Sequence, residues 1–291
     1  MIPTTDIFAT VVFGLAASLC WGSGDFSGGL ASRRINATTV VIAGYTVGFV
    51  LLLALALIWR EPFPTPMDLL WGGLAGVVGA LGLIAFYTAL ASGKMGIAAP
   101  VSAVLTAMLP VLFSAFTAGL PGPLRLGGFV LALLAIALIS RPEHADGRPQ
   151  GIGLAVLAGF GFGCFFVLIS RVSPGATFWP LAVARLTSVV LLLVVTVLRR
   201  QQKQQKQQIL SGVRRVAPLV LLAGILDALG NAFFVLAAHS GRLDVAAILS
   251  ALYPAATVLL AAVVLRERVT RIQAVGILLV LLAIPLISAQ L

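Results

Sequence analysis

Charged residues are scarce in this chain, which makes a water-soluble fold untenable. They account for 10% of its 291 residues, whereas soluble domains carry about a quarter. Apolar residues account for 60%, and the mean hydropathy is +1.11. The sequence therefore leaves no room for a soluble enzyme, a nucleic-acid-binding module or a binding ectodomain. Its composition fits a lipid bilayer as solvent.

Metal-ligating and nucleophilic residues are equally few. The chain has two histidines and two cysteines, and Cys20 and Cys164 both lie in apolar stretches, where a thiol is usually a small buried hydrophobe. No cluster of His and Cys has ligand spacing, and no Gly-x-x-x-x-Gly-Lys-Ser/Thr loop occurs. We expect no metal, no cofactor, no ATP-driven pump and no base–nucleophile pair of an enzyme.

Apolar stretches dominate what is present. About 20 apolar residues cross roughly 30 Å of hydrocarbon as a helix, and charged or Pro/Gly-rich breaks divide the chain into ten such stretches. The Gln/Lys tract at 201–208 is predicted to be a solvated linker. The predicted spans are 8–29, 38–59, 68–91, 97–118, 124–140, 151–170, 176–198, 216–239, 243–265 and 270–289.

The two halves of the chain resemble each other, which indicates an internal duplication. The matching segments are 14–32 with 153–171 and 76–140 with 224–288. Two repeats of five spans are predicted, over residues 1–148 and 149–291. Because five is odd, the second repeat crosses the membrane in the opposite sense. The predicted fold is an all-α membrane protein of ten transmembrane helices, built as two inverted five-helix repeats.

The distribution of Lys and Arg between the two sides predicts the orientation. With Arg185 set aside as intramembrane, fourteen of these residues fall on one side and four on the other. The positive-inside rule places the richer side, which includes the loop from Arg199 to Arg215, in the cytoplasm. Both termini are then expected outside.

Short motifs at both ends of the chain resemble those of the EamA family of the drug/metabolite transporter superfamily. Trp21-Gly22-Ser23 is similar to an element of that family's first helix, and the segments 250–254 and 265–270 resemble its penultimate-helix proline and Glu-containing turn. The first repeat departs from the pattern, because Gly119 stands where the second has Glu267. Members are often drawn with cytoplasmic termini, contrary to our count. The resemblance implies a ten-helix carrier, typically an exporter of amino acids or other small metabolites.

Three charged residues lie inside predicted spans and more than one residue from the span ends, where a charge is costly and needs a reason. Arg185 either ties helices together through an ion pair or carbonyl contacts, or touches substrate. Asp227 is either a protonatable carboxyl that couples transport to protons or the permanently ionised partner of Arg185. Asp25 either faces a cavity or caps a helix near the interface.

Further candidates share a helix face with these residues or stand at equivalent places. Asp227, Asn231 and Phe234 recur at steps of three and four along one face, and Trp21 and Phe160 correspond between repeats. Hydroxyl groups beside prolines either face a cavity or bond their own helix, and Pro110 and Pro254 are candidate kinks. The predicted substrate-binding residues are Trp21, Asp25, Phe86, Ser102, Phe160, Asp227, Asn231, Phe234, Ser250 and Tyr253.

The function that fits these features is secondary active export by alternating access. The alternatives are multidrug or cation efflux, a lipid-linked substrate flippase and, less well supported, a membrane-embedded enzyme. The expected partners are a small-molecule substrate and the lipid bilayer, with proton coupling through Asp227 and no nucleic acid. The bacterial inner membrane is the expected location. Substrate identity, direction, coupling ion and oligomeric state are left open.

Overall fold

A computed structural model describes residues 4–32, 34–91, 95–139, 152–198, 205–264, 266 and 269–288. Across these ranges the regular structure is entirely α-helical. Parts of three sequence features lie outside the described residues: the repeated turn around Lys94, the basic loop at 199–204 and the turn residue Glu267.

Eleven helices occur in the described ranges. They are α1 (Thr4–Ser32), α2 (Ala37–Ile58), α3 (Pro66–Ala91), α4 (Met95–Ala118), α5 (Pro123–Ile139), α6 (Ile152–Ile169), α7 (Phe178–Leu198), α8 (Gln205–Ser240), α9 (Leu243–Ser250), α10 (Tyr253–Val264) and α11 (Arg271–Ser288). Six helical runs are long and apolar enough to cross a membrane, and four further apolar helices are shorter. The prediction of an all-helical membrane protein is confirmed.

The ninth predicted span, 243–265, is divided into two helices. The helix α9 ends at Ser250 and α10 begins at Tyr253. Proline lacks a backbone N–H, so Pro254 cannot bond the carbonyl four residues before it, and the helix is interrupted at this point, whereas α8 and α11 continue through Pro218 and Pro285. The sequence identified this proline as a kink but not as a break.

The eighth helix begins earlier than predicted. It starts at Gln205 and not near residue 216, so residues 205–208 of the predicted linker are helical. Gln and Lys have good helix propensity, and the apolar segment that follows continues the same helix. The remaining linker residues, 201–204, lie outside the described part of the chain.

Helices of the two halves pack against each other in related pairs. The helix α1 packs on α8 and α6 packs on α3, while α2 packs on both α7 and α8 and α7 packs on α3. Glycines permit close approach at these contacts: a Cβ added to Gly161 would lie 2.8 Å from the Cα of Gly82. Without a hydrophobic force between helices in lipid, such close packing of small residues holds a bundle together.

Polar contacts join the two halves at one end of the bundle, at the start of α7. The Glu61 carboxylate accepts hydrogen bonds from the backbone N–H groups of Thr177 and Phe178, each at 2.8 Å. The indole Nε1 of Trp179 donates to the Glu61 carbonyl at 3.2 Å. Glu61 thus satisfies N–H groups that the first turn of a helix leaves free.

A second carboxylate at the same end serves two segments at once. Asp68 and Thr65 form a reciprocal cap at the start of α3, with Thr65 Oγ1 donating to Asp68 Oδ2 at 2.7 Å. The other oxygen, Oδ1, accepts from the backbone N–H of Ser173 at 2.7 Å. Asp68 is 2% exposed, so this contact between the halves is shielded from solvent.

Candidate functional site

An ion pair between α7 and α8 lies inside the bundle. Arg185 Nη2 is 2.6 Å from Asp227 Oδ2, and the two side chains are 7% and 30% exposed. Asp227 Oδ2 has no partner with hydrogen-bond geometry among the described residues, so its interaction with Arg185 is chiefly electrostatic. The structure therefore brings together the two residues that the sequence had proposed as partners.

Two further side chains surround this ion pair. The guanidinium carbon of Arg185 lies 4.2 Å from the ring centre of Tyr45 on α2, a cation–π contact. Asn231 Nδ2 donates to the backbone carbonyl of Asp227 at 2.6 Å and lies 3.5 Å from its Oδ1. Three helices, α2, α7 and α8, thus meet at Arg185.

Glycine contacts beside these residues set the helix separation. A Cβ on Gly224, three residues before Asp227, would lie 2.5 Å from the carbonyl oxygen of Gly44 and 2.9 Å from Val47 Cβ. Gly44 directly precedes Tyr45. Only glycine at position 224 lets α2 approach α8 this closely.

The same contact recurs in the other half of the chain. A Cβ on Gly76 would meet the backbone of Ala184 and the hydroxyl of Thr187, and Gly76 matches Gly224 in the duplication. Ala184 and Thr187 each stand 140 positions after Gly44 and Val47.

The same spacing relates Tyr45 to Arg185, so the two residues in contact occupy equivalent places. Sequence reasoning missed Tyr45, although aligning the second span with the seventh would have revealed this correspondence.

Asp25 lies within α1, seven residues before the helix ends at Ser32. The interpretation of Asp25 as a helix cap is therefore wrong. Its side chain is exposed even though α1 is flanked by α2, α8 and α10. The carboxylate interacts electrostatically with Asp227, Tyr45 and Tyr253, and no counter-ion or hydrogen-bond donor reaches it among the described residues. Next to the paired Arg185 and Asp227, Asp25 is thus a second acidic group without a cationic partner.

An aromatic stack adjoins the charged residues. The Trp21 ring centre is 5.3 Å from that of Phe166 and 6.0 Å from that of Phe234, and the two Phe rings are 4.2 Å apart. Phe234 is wholly buried, and a Cβ on Gly230 would meet the indole at 2.6 Å. Phe166 was not predicted, because no sequence pattern distinguished it from its apolar neighbours.

Two predicted aromatic residues lie elsewhere. Phe160 is 54% exposed and lies outside the stack, although it corresponds in sequence to Trp21. Phe86 packs edge-on against Phe162, with ring centres 6.1 Å apart. The structure does not bring either ring into contact with the Trp21 stack.

The predicted hydroxyl residues differ between the halves. Ser102 is 2% exposed, and its carbonyl accepts a hydrogen bond from Thr106 Oγ1 at 2.8 Å. Ser250 is 0% exposed, and its hydroxyl has no partner in the described part of the chain. Tyr253, at the start of α10, is partly buried beside Asp25.

An all-helical bundle of apolar spans with charged residues in its interior is an integral, multi-pass membrane protein. The sequence profile of the EamA-like transporter family matches this chain twice, over residues 8–141 and 149–289. The chain belongs to this family, within the drug/metabolite transporter superfamily. The family is one of transporters and not of enzymes. Among the described residues, no group of His, Cys, Asp or Glu is arranged to hold a metal ion.

A solved structure supports the same architecture. A chain described as "Crystal structure of protein" is similar to this one with a TM-score of 0.72 and 18% sequence identity, covering 95% of both chains. At this identity the similarity shows the fold alone. No curated protein matches the sequence.

Proposed function

We propose that the chain is a secondary active transporter that exports amino acids or similar small metabolites by alternating access. The carrying observation is the group of Asp25, Arg185 and Asp227 inside an apolar bundle. Charges in such a place are costly and usually mark a substrate or ion pathway. The site pairs these charges with the Trp21 stack, the combination of apolar wall and few polar anchors that small-molecule sites use.

The predicted arrangement of ten spans in two inverted repeats fits this mechanism. If α9 and α10 count as one span, the most extensive contacts between the halves form matching pairs: α1 on α8 corresponds to α6 on α3, and α2 on α8 to α7 on α3. The site then lies where the two repeats meet, as in other inverted-repeat carriers.

The polar contacts of Glu61 and Asp68 support a conformation closed at one end. Both carboxylates belong to the first half and bind backbone N–H groups of the second. Only four of the Lys and Arg residues lie on this side of the membrane, against fourteen on the other. By the positive-inside rule we propose that this end faces outwards, across the bacterial inner membrane. Export then requires these contacts to break and re-form.

The contact with Arg185 bears on which of two roles Asp227 has. The approach of Arg185 to 2.6 Å supports the permanently ionised role. Proton coupling through Asp227 would require this pair to separate during the cycle, and the effect of neutralising each residue distinguishes the two roles.

Cation efflux is a second candidate function. The observation that favours it is the Asp25 carboxyl group, which has no cationic partner among the described residues and, when ionised, adds a negative charge beside the paired Arg185 and Asp227. A cationic substrate would compensate that charge.

Proteoliposomes test the proposal. The full-length protein is reconstituted into vesicles loaded with amino acids, polyamines and nucleosides, and the retained solutes are measured by mass spectrometry. We expect protein-dependent loss of one class of solute, abolished in Asp25→Asn and preserved in Thr46→Ala, an exposed α2 position. Retention of every solute equal to that of protein-free vesicles would contradict the proposal.

A further inference from the structure

The break in the ninth span contains a buried residue whose hydroxyl has no partner among the described residues. Ser250 is 0% exposed, and its Oγ has no partner among the described residues. Its carbonyl also lacks the usual helical donor, because Pro254 has no N–H. Unsatisfied groups are strongly unfavourable in a membrane interior, so a buried hydroxyl without a partner, beside a carbonyl that lacks its helical donor, calls for a bound ion, water or ligand.

At the corresponding position in the first half, the serine carbonyl has a hydrogen-bond donor. Ser102 and Thr106 stand 148 positions before Ser250 and Pro254. There Thr106 Oγ1 donates to the Ser102 carbonyl at 2.8 Å, and α4 runs through this point without a break. Of these two corresponding helices, only the one with proline at this position, Pro254, is interrupted, whereas the one with threonine, Thr106, is continuous.

A second residue with a hydroxyl, Ser18, lies on α1 level with the break. A Cβ on Gly14 would lie 3.0 Å from Leu249 Cβ, and one on Gly22 would lie 2.6 Å from the carbonyl oxygen of Tyr253. Ser18 lies four residues from each glycine and so shares their helix face. At 5% exposure, it is buried between the two contacts, level with the break.

The chemistry of these groups selects the kind of ligand. Two hydroxyls and a carbonyl without its helical donor offer oxygen atoms, which suit an alkali cation or the N–H groups of an ammonium. Asp25 lies two turns beyond Ser18 on the same helix, about 10 Å along the axis, and has no counter-ion among the described residues. It is too far along the helix to share the ligand with Ser18, but when ionised it would draw cations into this region.

We propose that the break at Ser250 binds a monovalent cation through Ser250 and Ser18, either an inorganic ion or the ammonium group of a substrate. The ammonium case rests on the proposed transport function, whereas binding of an inorganic ion does not. This site extends the proposed function, because it implies that the substrate carries a positive charge and that oxygen atoms of the protein bind that charge.

Thermal unfolding of the purified full-length protein tests the site. Sodium chloride and methylammonium chloride are compared with choline chloride at equal ionic strength, because choline is too bulky and offers no N–H. We expect sodium or methylammonium to raise the Tm by about 2–4 °C over choline. A response to sodium alone identifies an inorganic ion, and a response to methylammonium alone identifies an ammonium group.

Variants connect that response to the break. Pro254→Ala supplies the missing N–H to the Ser250 carbonyl, and Ser250→Ala removes the hydroxyl, so both are expected to abolish the shift. Ser102→Ala, the matched change in the first half, should keep it. If Pro254→Ala does not fold, Ser250→Ala decides alone.

Two results would overturn the proposal: no wild-type shift beyond that in choline, or a full shift in Ser250→Ala. Neither depends on flux. If the protein shows the Tm shift but moves no solute, the cation site stands and the proposed transport function fails. If it transports solute but shows no Tm shift, the transport function stands and the cation site fails.

Discussion

Tyr45 and Arg185 occupy equivalent positions in the two halves of the chain, and they touch, with the guanidinium carbon 4.2 Å from the ring centre. Residues exchanged by a two-fold relationship can meet only close to its axis. The contact therefore places Arg185 at the centre of the proposed inverted repeat. Duplication has left an aromatic ring on one side of this axis and a cation on the other.

Removing the Tyr45 ring is expected to destabilise the bundle. A cation–π contact that is shielded from water contributes about 2 kcal/mol, so Tyr45→Leu should lower the Tm in detergent. Tyr45→Phe keeps the ring and should change little. Thr46→Ala, an exposed neighbour, serves as the control, and an equal loss in Tyr45→Leu and Thr46→Ala would argue against the contact.

Neutralising one member of the ion pair should be worse than neutralising both. Asp227→Asn leaves Arg185 buried without its partner, which costs about 3–5 kcal/mol in buried pairs. We expect a low yield of folded protein in fluorescence-detected size-exclusion chromatography. Asp227→Asn combined with Arg185→Gln should recover the yield, since no charge is stranded.

Flux through the double variant separates the two roles of Asp227. Transport with unchanged pH dependence would reject proton coupling at this residue. Counterflow without gradient-driven flux, in a folded Asp227→Asn protein, would instead support coupling and contradict the permanently ionised role.

Adding one methyl group at a helix crossing should separate α2 from α8. Gly224→Ala places a Cβ against the Gly44 carbonyl, so the backbones must move apart. We expect a loss of about 1–3 kcal/mol, seen as a lower Tm. Gly29→Ala is the matched control on α1, because nothing lies within 4 Å of its added Cβ. It should be neutral or slightly stabilising.

A cysteine at Gln205 tests the orientation. Cys20 and Cys164 are first replaced by alanine, and Gln205→Cys is then exposed to a membrane-impermeant thiol reagent in intact cells. The basic loop before α8 predicts protection, whereas a cysteine at Leu120, on the opposite end, should react. Labelling at 205 with protection at 120 would reverse the orientation and leave the fold unaffected.

The sequence predicted the membrane class and the positions of most helices, and it offered pairing with Arg185 as one of two roles for Asp227, because these follow from hydropathy and the cost of buried charge. Pro254 was recognised as a kink, but whether a proline bends or breaks a helix depends on what satisfies the freed carbonyl. Which group satisfies that carbonyl is decided by the tertiary structure and cannot be read from the local sequence.

The aromatic residues show where sequence correspondence fails. Trp21 and Phe160 are equivalent in the alignment, yet Trp21 stacks on Phe166 while Phe160 is largely exposed. Two repeats that share a fold pack different neighbours around each position, so equivalence predicts the backbone contact and not the environment of the side chain. Tyr45 was missed for the converse reason, since its importance comes from Arg185 across the axis.

Flux through a protein whose closed end is held shut tests alternating access most directly. Phe63 and Trp179 belong to opposite halves at the Glu61 end, and their ring centres are 5.5 Å apart. Phe63→Cys and Trp179→Cys are joined by a short, reducible bifunctional thiol reagent in the cysteine-free background, and solute efflux from proteoliposomes is measured before and after reduction. The account predicts that the cross-link stops efflux and that reduction restores it, while each single cysteine treated alike remains active. Undiminished efflux through the cross-linked protein would contradict the account.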